Sequence, residues 1–359
     1  MVTLDDIRQA RTVLDGVAEH TRLIYSHTLS RLLGGHIYLK PELFQHTGSF
    51  KLRGAWFRIA NLTAEQRKRG VITASAGNHA QGVAVAASGA NIPAIVVMPA
   101  TAPRAKAEAT RGYGADVILH GQTYNDAFQH ASALALEHGR TMIPAFDDPH
   151  VIAGQGTVGL EILEDLPAVD DIVVPVGGGG LISGIAVAAR AVKPSVRVIG
   201  VQAAGAPSLV SALEAGRPVE LTSVQTIADG IAVKRTGDLP FRIIKELVDR
   251  VVAVADEDIL RAMVLLIERS KIVVEGAGAA PLAAALSGQL PVQGRKVVLV
   301  LSGGNVDIRR IGRILHRGLA YDRLVGRLAS LASGDSPAAP GADAVQSALD
   351  ELTVKDFAY

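Results

Sequence analysis

Short, continuous runs of apolar residues alternate along the chain with longer amphipathic segments. The runs that are rich in β-branched residues lie at 35–40, 71–74, 94–98, 116–119, 171–176, 196–201 and 296–301. An unbroken apolar run of about five residues is typical of a strand that is covered on both faces, as in parallel sheets. These runs therefore predict the strands of buried parallel sheets.

The segments between the runs have the length and spacing of helices. They lie at 81–87, 104–111, 125–137, 183–191 and 256–270. Strands that alternate with helices are typical of the doubly wound α/β architecture. We therefore predict an α/β protein with open, largely parallel twisted sheets that are flanked by helices.

Glycine-rich turns follow three of the predicted strands, at 75–78, 177–180 and 302–305. In open parallel sheets, ligands bind at the carboxyl ends of the strands, where loops and helix N-termini gather. We therefore expect the three turns to border one cleft.

Length and composition narrow the class of protein. A chain of 359 residues that is 48% hydrophobic can bury the cores of two ordinary domains. Its 36 basic and 35 acidic side chains nearly cancel, so no overall field favours nucleic acid or an anionic membrane. The lack of cysteine excludes disulfides and a catalytic thiol. With no leader pattern and no long apolar span, we predict a cytoplasmic protein without a membrane or nucleic-acid partner.

Lys51 follows a Thr-Gly-Ser turn and begins a predicted helix. A lysine near the positive end of a helix dipole, and partly desolvated, has a lowered pKa and becomes a usable nucleophile. A single lysine after a turn is more often exposed, so this interpretation needs support from other motifs.

Four consecutive glycines, Gly177 to Gly180, follow a predicted strand and precede a predicted helix. Their backbone N–H groups can turn toward one anion, and the helix N-terminus adds its field. The dinucleotide fingerprint fails because Ile182 occupies its third glycine position, and the P-loop fails for want of a Gly-Lys pair. The pattern therefore predicts a phosphate site of another kind, with a ligand-free tight turn as the alternative.

The run Ser75-Ala76-Gly77-Asn78-His79 ends another strand and opens a helix, so its backbone donors could bind a carboxylate. Ser302 comes directly after the last predicted strand, where its hydroxyl could face a heteroaromatic ring nitrogen.

Several separated motifs occur together and in a characteristic order. They read TGSFKLRGA, SAGNHAQG, IAGQGT, VPVGGGGLISG, TIADGIAVKR, EGAGA and SGGN. The set, from Ile7 to Tyr321, resembles the fold-type II pyridoxal-phosphate enzymes and most closely the threonine dehydratase (threonine ammonia-lyase) family.

The resemblance implies a cofactor site for pyridoxal 5′-phosphate. Lys51 would hold the cofactor as a Schiff base, beside Phe50, and Asn78 would bond its phenolic oxygen. Ser302 would face the pyridine nitrogen, which a hydroxyl cannot keep protonated as a carboxylate would, so that prompt β-elimination is favoured. The residues expected to bind its phosphate are Gly177, Gly178, Gly179, Gly180 and Leu181.

The resemblance also implies the substrate site and the reaction. The substrate carboxylate would lie against Ser75, Ala76, Gly77 and His79, and Glu275 would border the pocket, beside a monovalent cation. The freed Lys51 would take the Cα proton of a hydroxy amino acid. L-Threonine would yield 2-oxobutanoate and ammonia, and L-serine would yield pyruvate.

The implied fold is that of the tryptophan synthase β subunit, with the active site between two domains. We expect a large domain of residues 1–53 and 150–322 and a small domain of residues 54–149. Residues 323–359 are too few for a complete ACT regulatory domain, since 333–343 is typical of a linker and 344–359 predicts one short helix. The family is usually homodimeric or homotetrameric.

Departures from related serine racemases lead to two expectations. Gln202 and Ser208 stand where those enzymes have acidic ligands, so we expect no divalent metal. Ala76 stands where they have a serine that returns a proton to the opposite face of the substrate, so we expect little racemisation.

Other functions stay open at this stage. The same fold supports racemases, β-replacement enzymes and dehydratases for hydroxyaspartate. A catalytically silent amino-acid sensor is disfavoured because the lysine, the glycines and the serine are all retained. Nucleic-acid binding through arginines of the C-terminal region is also disfavoured, since a solvated helix face or a subunit contact explains them. These arginines are Arg309, Arg310, Arg313, Arg317, Arg323 and Arg327.

Overall fold

The computed structural model describes residues 1–307, 309 and 311–319. The predicted linker and terminal helix at 333–343 and 344–359 lie outside the described residues, as do Arg310, Arg323 and Arg327. Arg309 pairs with Asp307, and Arg317 lies 3.7 Å from Glu257. These two arginines are therefore explained by ion pairs on the protein itself.

Strands occur in the order β1 Ile24–Tyr25, β2 His36–Pro41, β3 Val71–Ala74, β4 Ala94–Met98, β5 Asp116–Leu119, β6 Thr141–Met142, β7 Asp171–Pro175, β8 Arg197–Ala203, β9 Arg250–Val254 and β10 Lys296–Leu301. Helices occur in the order α1 Leu4–Leu14, α2 His27–Leu33, α3 Lys51–Ala60, α4 Ala64–Arg69, α5 Asn78–Gly89, α6 Arg104–Gly112, α7 Tyr124–His138, α8 Pro149–Asp165, α9 Gly180–Val192, α10 Ser208–Ala215, α11 Asp238–Leu247, α12 Asp256–Leu265 and α13 Gly276–Leu286. Single turns lie at Glu42–Phe44, Asp229–Ile231 and Leu266–Ser270, and residues 311–319 are helical.

The strands form two sheets. The larger has the order β1-β2-β10-β7-β8-β9, and the smaller has the order β5-β4-β3-β6. Every neighbouring pair is parallel except β1 and β2. The predicted α/β class, with two largely parallel sheets flanked by helices, is confirmed. All strands of the smaller sheet fall between residues 71 and 142.

The seven predicted strands are present, but β1, β6 and β9 were not predicted. The first two have only two residues each, which is too short for a hydrophobic pattern to reveal. Strand β9 lies at the edge of the larger sheet and starts with the exposed Arg250. Its residues 251–254 form an apolar run like those of the predicted strands, so the pattern was present and was overlooked.

Helix α8, which contains glycines, was not predicted because its stability comes from packing, whereas α9 was predicted over residues 183–191. Helices α8 and α9 cross closely at Gly156 and Gly184. A Cβ atom on Gly184 would lie 2.3 Å from the carbonyl oxygen of Ile152, so only glycine permits this approach. Intrinsic propensity argues against helix at such positions, and tertiary contact overrides it. No helix in the described part of the chain is long and apolar enough to span a lipid bilayer.

Helix α3, which begins at Lys51, lies between the two sheets. Its Ala55 and Ile59 belong to the core of the smaller sheet, whereas Phe57 packs with Ile152 of α8 in another core. The first turn of α3 is therefore placed where the two halves of the molecule meet.

A buried ion cluster holds α3 against the larger sheet. The guanidinium of Arg53 donates to Glu42 at 2.8 Å and to Glu161 of α8 at 2.6 Å. Lys40 of β2 donates to Glu161 as well and to the carbonyl oxygen of Thr21. Burial alone would raise the pKa of Glu42, but the charges of Arg53 and Lys40 hold it below its ordinary value. This stabilisation is present at neutral pH and is lost as the pH falls through that lowered pKa.

The first prediction concerns this cluster. Arg53→Met should reduce the free energy of unfolding by about 3–5 kcal/mol, because it leaves buried carboxylates without their counter-charge. Chemical denaturation followed by circular dichroism measures the change. Arg69→Met is the matched control, since Arg69 and its partner Glu65 are exposed and their pair contributes little. Equal effects of the two substitutions would contradict the role assigned to the cluster.

Candidate active site

The side chain of Lys51 is directed into the space between the two sheets. Its Nζ atom donates to the carbonyl oxygen of Ala145 at 2.9 Å and lies 5.1 Å from the centroid of the Phe50 ring. Burial lowers the pKa of Lys51 to about 8, although the carboxylate of Glu275 opposes the shift. A large fraction of this amine is therefore uncharged at mildly alkaline pH, as a nucleophile requires.

The turn before Lys51 is joined to the end of β10. The amide of Phe50 donates to the carbonyl oxygen of Ser302 at 3.1 Å, and Ser49 forms a single antiparallel bridge with Gly303. Gly48 has a φ of +72°, and a Cβ atom there would lie 2.4 Å from the side chain of Asn305. This turn therefore places Ser302 beside the lysine segment, and its predicted role opposite a ring nitrogen stays a prediction.

The glycine loop, Gly177 to Gly180, joins β7 to the N-terminus of α9. Gly179 has a φ of +98°, which L-residues rarely adopt. A Cβ atom on Gly178 would lie 2.3 Å from the ring of Phe146, the neighbour of the Ala145 that accepts from Lys51. The loop and the lysine are therefore brought together by the same Ala145–Phe146 segment, which the sequence motifs did not reveal.

Asn78, at the first position of α5, is oriented by two partners from the larger sheet's side. Its Nδ2 donates to Glu275 at 2.7 Å, and its Oδ1 accepts from Nδ2 of Asn305 at 2.9 Å. These bonds fix which end of the amide is the donor. The sequence motifs contain all three residues, but no local pattern indicates that they meet.

Glu275 is a buried carboxyl group with a perturbed pKa. Burial and the nearby charge of Asp229 raise the pKa to about 7, and Lys106, the bond from Asn78 and the charge of Lys51 oppose this. Asp229 itself receives a 3.0 Å hydrogen bond from Lys106 of α6. That ion pair links α6 to the Asp229–Ile231 turn. No pattern in the sequence indicated a role for either residue.

The turn before α5 has one open face. A Cβ atom on Gly77 would meet no atom within 4 Å, and the amide of Gly77 donates to Oγ of Ser75 at 3.2 Å. Ala76 is partly buried against the core of the smaller sheet. The amides that begin α5 have no partner within the helix, so this face can receive an anion.

His79 is placed differently from the other residues of this turn. Its imidazole is buried and lies 3.0 Å from the carbonyl oxygen of Ile143. Burial and the charge of Lys51 lower its pKa to about 3, although the bond to Ile143 opposes this. The ring is therefore neutral and directed inward, so only the backbone amide of His79 can contribute to a substrate site.

Gln202 has a structural function in this chain. Its Oε1 accepts from the amides of Leu209 and Val210 at 2.9 and 3.0 Å, which caps the N-terminus of α10. The expected lack of a divalent metal ion stays a prediction.

Residues 15–303 match the protein family described as "Pyridoxal-phosphate dependent enzyme". The chain belongs to this family. An L-threonine ammonia-lyase of Thermotoga maritima is 52% identical over 319 residues, which cover 89% of this chain and 79% of that protein. The predicted resemblance to threonine ammonia-lyases is therefore confirmed, and so is the cofactor, pyridoxal phosphate.

Solved structures of the family have the same fold. The processed form of threonine deaminase isoform 2 from Solanum lycopersicum has a TM-score of 0.83 at 38% identity, over 88% of this chain and 90% of that one. Maize serine racemase has a TM-score of 0.84 at 37% identity, over 90% of this chain and 99% of that one.

The residues of this family member fit the cofactor. The glycines of the loop pack too closely against their neighbours to carry side chains. The amides of the loop lie at the N-terminus of a 13-residue helix, an arrangement that favours a bound phosphate. Lys51 offers an amine of lowered pKa, and Asn78 offers an amide of fixed orientation. These residues would hold the phosphate, the aldehyde carbon and the phenolic oxygen respectively.

The second prediction concerns the attachment of the cofactor. Borohydride reduction of the yellow holoenzyme should fix the cofactor on Lys51, and peptide mapping should find the adduct there. The rate at which the cofactor-free protein binds pyridoxal phosphate should rise as the pH increases through about 8, because the uncharged amine is the nucleophile. Lys106→Ala is the control. Lys106 is paired with Asp229, so this substitution should leave the adduct on Lys51. An adduct on any lysine other than Lys51 would refute the assignment.

Proposed function

We propose that this protein is a pyridoxal-phosphate-dependent L-threonine ammonia-lyase that also accepts L-serine. The observation that carries the proposal is the amine of Lys51, with its pKa lowered to about 8, between the glycine loop and the open turn before α5. The similarity to the Thermotoga maritima L-threonine ammonia-lyase supports this substrate class.

The reaction needs one base and one anion site. Bound pyridoxal phosphate withdraws electrons from the Cα atom of an attached amino acid. Lys51 Nζ takes the Cα proton, and the β-hydroxyl leaves as water after receiving a proton. The released enamine tautomerises to an imine, and water then replaces its nitrogen. The net products are 2-oxobutanoate and ammonia from threonine.

The turn before α5 binds the substrate carboxylate in this proposal. Ser75, Gly77 and the first amides of α5 form a donor-rich surface with open space above Gly77. A carboxylate there would complement the positive end of the α5 dipole. The substrate would thus be held by the smaller sheet's side, opposite the glycine loop of the larger sheet's side.

Ser302 supports elimination over reactions that need a longer-lived carbanion. It lies at the end of β10, beside Phe50, and offers a hydroxyl where a carboxylate would keep a ring nitrogen protonated. A ring nitrogen left unprotonated beside the Ser302 hydroxyl would withdraw electrons less strongly, which would favour prompt departure of the β-leaving group.

Serine racemase activity is the second candidate, since maize serine racemase shares the fold at a TM-score of 0.84. Racemisation needs a proton donor on the face opposite Lys51. Ala76 occupies the turn between Ser75 and Gly77 and has no proton to donate. This difference favours the lyase.

We also propose a division into two domains, a cellular compartment and an oligomeric state for this protein. The large domain comprises residues 1–53 and 150–322 and the small domain comprises residues 54–149, and the placement of the strands supports this division. The protein is a homodimer or homotetramer in this proposal. It is cytoplasmic, and the lack of cysteine is compatible with that reducing compartment. The metabolic role is either isoleucine biosynthesis or threonine catabolism.

The third prediction tests the activity. Incubation with L-threonine, L-serine and L-threo-3-hydroxyaspartate should release 2-oxo acid and ammonia in equal amounts, with the highest kcat/KM for L-threonine. Lys51→Ala should abolish turnover because it removes both the attachment point and the base. Enzymatic assay of both products measures this. Preference for hydroxyaspartate would replace the proposed substrate, and absence of ammonia would exclude the lyase.

The fourth prediction concerns the opposite face of the substrate. The unmodified enzyme should leave recovered serine in the L form, whereas Ala76→Ser should produce detectable D-serine because it supplies the missing hydroxyl. Chiral chromatography at partial turnover measures the ratio. Ala76→Val is the control without a hydroxyl. Substantial D-serine from the unmodified enzyme would show that another residue donates to that face.

A further inference from the structure

The ion pair between Lys106 and Asp229 joins the two sides of the cleft. Nζ of Lys106, in the first turn of α6, donates to Oδ2 of Asp229 at 3.0 Å. Helix α6 follows β4 of the smaller sheet, whereas the Asp229–Ile231 turn lies between β8 and β9 of the larger sheet. The pair therefore connects elements that belong to different sheets.

The Asp229–Ile231 turn packs against two parts of the candidate site. A Cβ atom on Gly230 would lie 3.1 Å from Oε1 of Glu275. A Cβ atom on Gly177, the first residue of the glycine loop, would lie 3.1 Å from Cα of Ile231. The turn thus forms a wall of the cleft that extends from Glu275 to the glycine loop.

On the other side of the cleft, α6 lies next to the turn that we propose to bind the substrate carboxylate. Strands β3 and β4 are parallel neighbours, and their carboxyl ends lead to that turn and to the segment before α6. Helices α5 and α6 are in contact, and the space above Gly77 is open. The Lys106–Asp229 pair therefore crosses the cleft on the side where a substrate would bind.

Two layers of polar contacts cross the cleft at this place. In the inner layer, Asn78 donates to the buried Glu275 at 2.7 Å. In the outer layer, the side chains of Lys106 and Asp229 are 19% and 57% exposed. An ion pair with this exposure contributes little to stability and is screened by salt. The outer contact can therefore open and re-form while the rest of the fold stays intact.

We propose that Lys106 and Asp229 are positioning residues whose ion pair closes the outer part of the cleft over the bound substrate. When the pair breaks, α6 and the Asp229–Ile231 turn separate and small molecules reach the cofactor. When the pair re-forms, water is excluded from the site. The inference rests on the cofactor and the carboxylate site of the proposed function, but it does not depend on which hydroxy amino acid is the substrate.

The first readout is access to the bound cofactor, measured by absorbance without turnover. Hydroxylamine, which is uncharged near neutral pH, forms an oxime with the cofactor. Lys106→Met keeps the length of the side chain and removes its charge, so the holoenzyme should react about threefold faster at low salt, as the energy of one exposed pair implies. High salt should accelerate the unmodified holoenzyme by a similar factor and leave Lys106→Met unaffected, because salt screens the pair.

A second variant separates closure of the cleft from an effect of net charge. Lys106→Met removes a positive charge and Asp229→Asn removes a negative one, so a local field that altered the reaction would act in opposite directions. Loss of the pair predicts the same acceleration in both variants. The double variant Lys106→Asp with Asp229→Lys reverses the pair and should return the rate toward that of the unmodified holoenzyme.

Arg104→Met is the matched control. Arg104 lies in the same turn of α6, but it pairs with Glu108 of the same helix at 2.6 Å. Its substitution should leave both the rate and the salt dependence of the hydroxylamine reaction unchanged.

Steady-state kinetics supply the second readout. KM for L-threonine should rise about threefold in Lys106→Met and in Asp229→Asn while kcat stays nearly constant, because closure contributes to binding of substrate and transition state alike. Hydroxylamine rates that are unchanged, or that shift in opposite directions in the two variants, overturn the inference. The expected hydroxylamine rates without turnover of any hydroxy amino acid overturn the proposed function and leave the closing ion pair in place.

Discussion

The buried contact between Arg53 and the carboxylates of Glu42 and Glu161 determines where Lys51 lies. Arg53 is two residues after Lys51 on α3, and its side chain is 1% exposed. Charges at that depth are tolerated only with partners, so α3 has one stable position relative to β2 and α8. The first turn of α3, which carries Lys51, is therefore held in one position at the boundary between the two sheets.

From that position the polar groups of the cleft become partners across the boundary. Asn78 from the smaller sheet's side meets Glu275 and Asn305 from the larger sheet's side, and Lys106 meets Asp229. Charged side chains of both signs thus lie close together around the cleft, and those of Asp229, Lys106 and Lys51 act on the pKa of Glu275. The raised pKa of Glu275, about 7, and the lowered pKa of Lys51, about 8, are two consequences of the same closely packed, poorly hydrated site.

Glycine serves two separate needs in this fold. In the loop at 177–180, the absence of side chains lets backbone amides surround an anion while the loop packs against Phe146. In α8 and α9, Gly156 and Gly184 allow two helix backbones to approach more closely than any Cβ atom would permit. The first use is the one that the proposed phosphate site would need, and the second supports the packing of the helices.

The sequence by itself determined the α/β class and the main strands and predicted a reactive lysine and a phosphate loop, because each is encoded within a few neighbouring residues. A run of β-branched residues, a lysine at a helix start and four glycines after a strand carry their meaning locally. The tertiary structure alone decided that Glu275 orients Asn78 across 197 residues and that the imidazole of His79 is directed inward. These contacts depend on the order of strands in the sheets and on how closely helices pack, which no local pattern of hydrophobic and polar residues specifies.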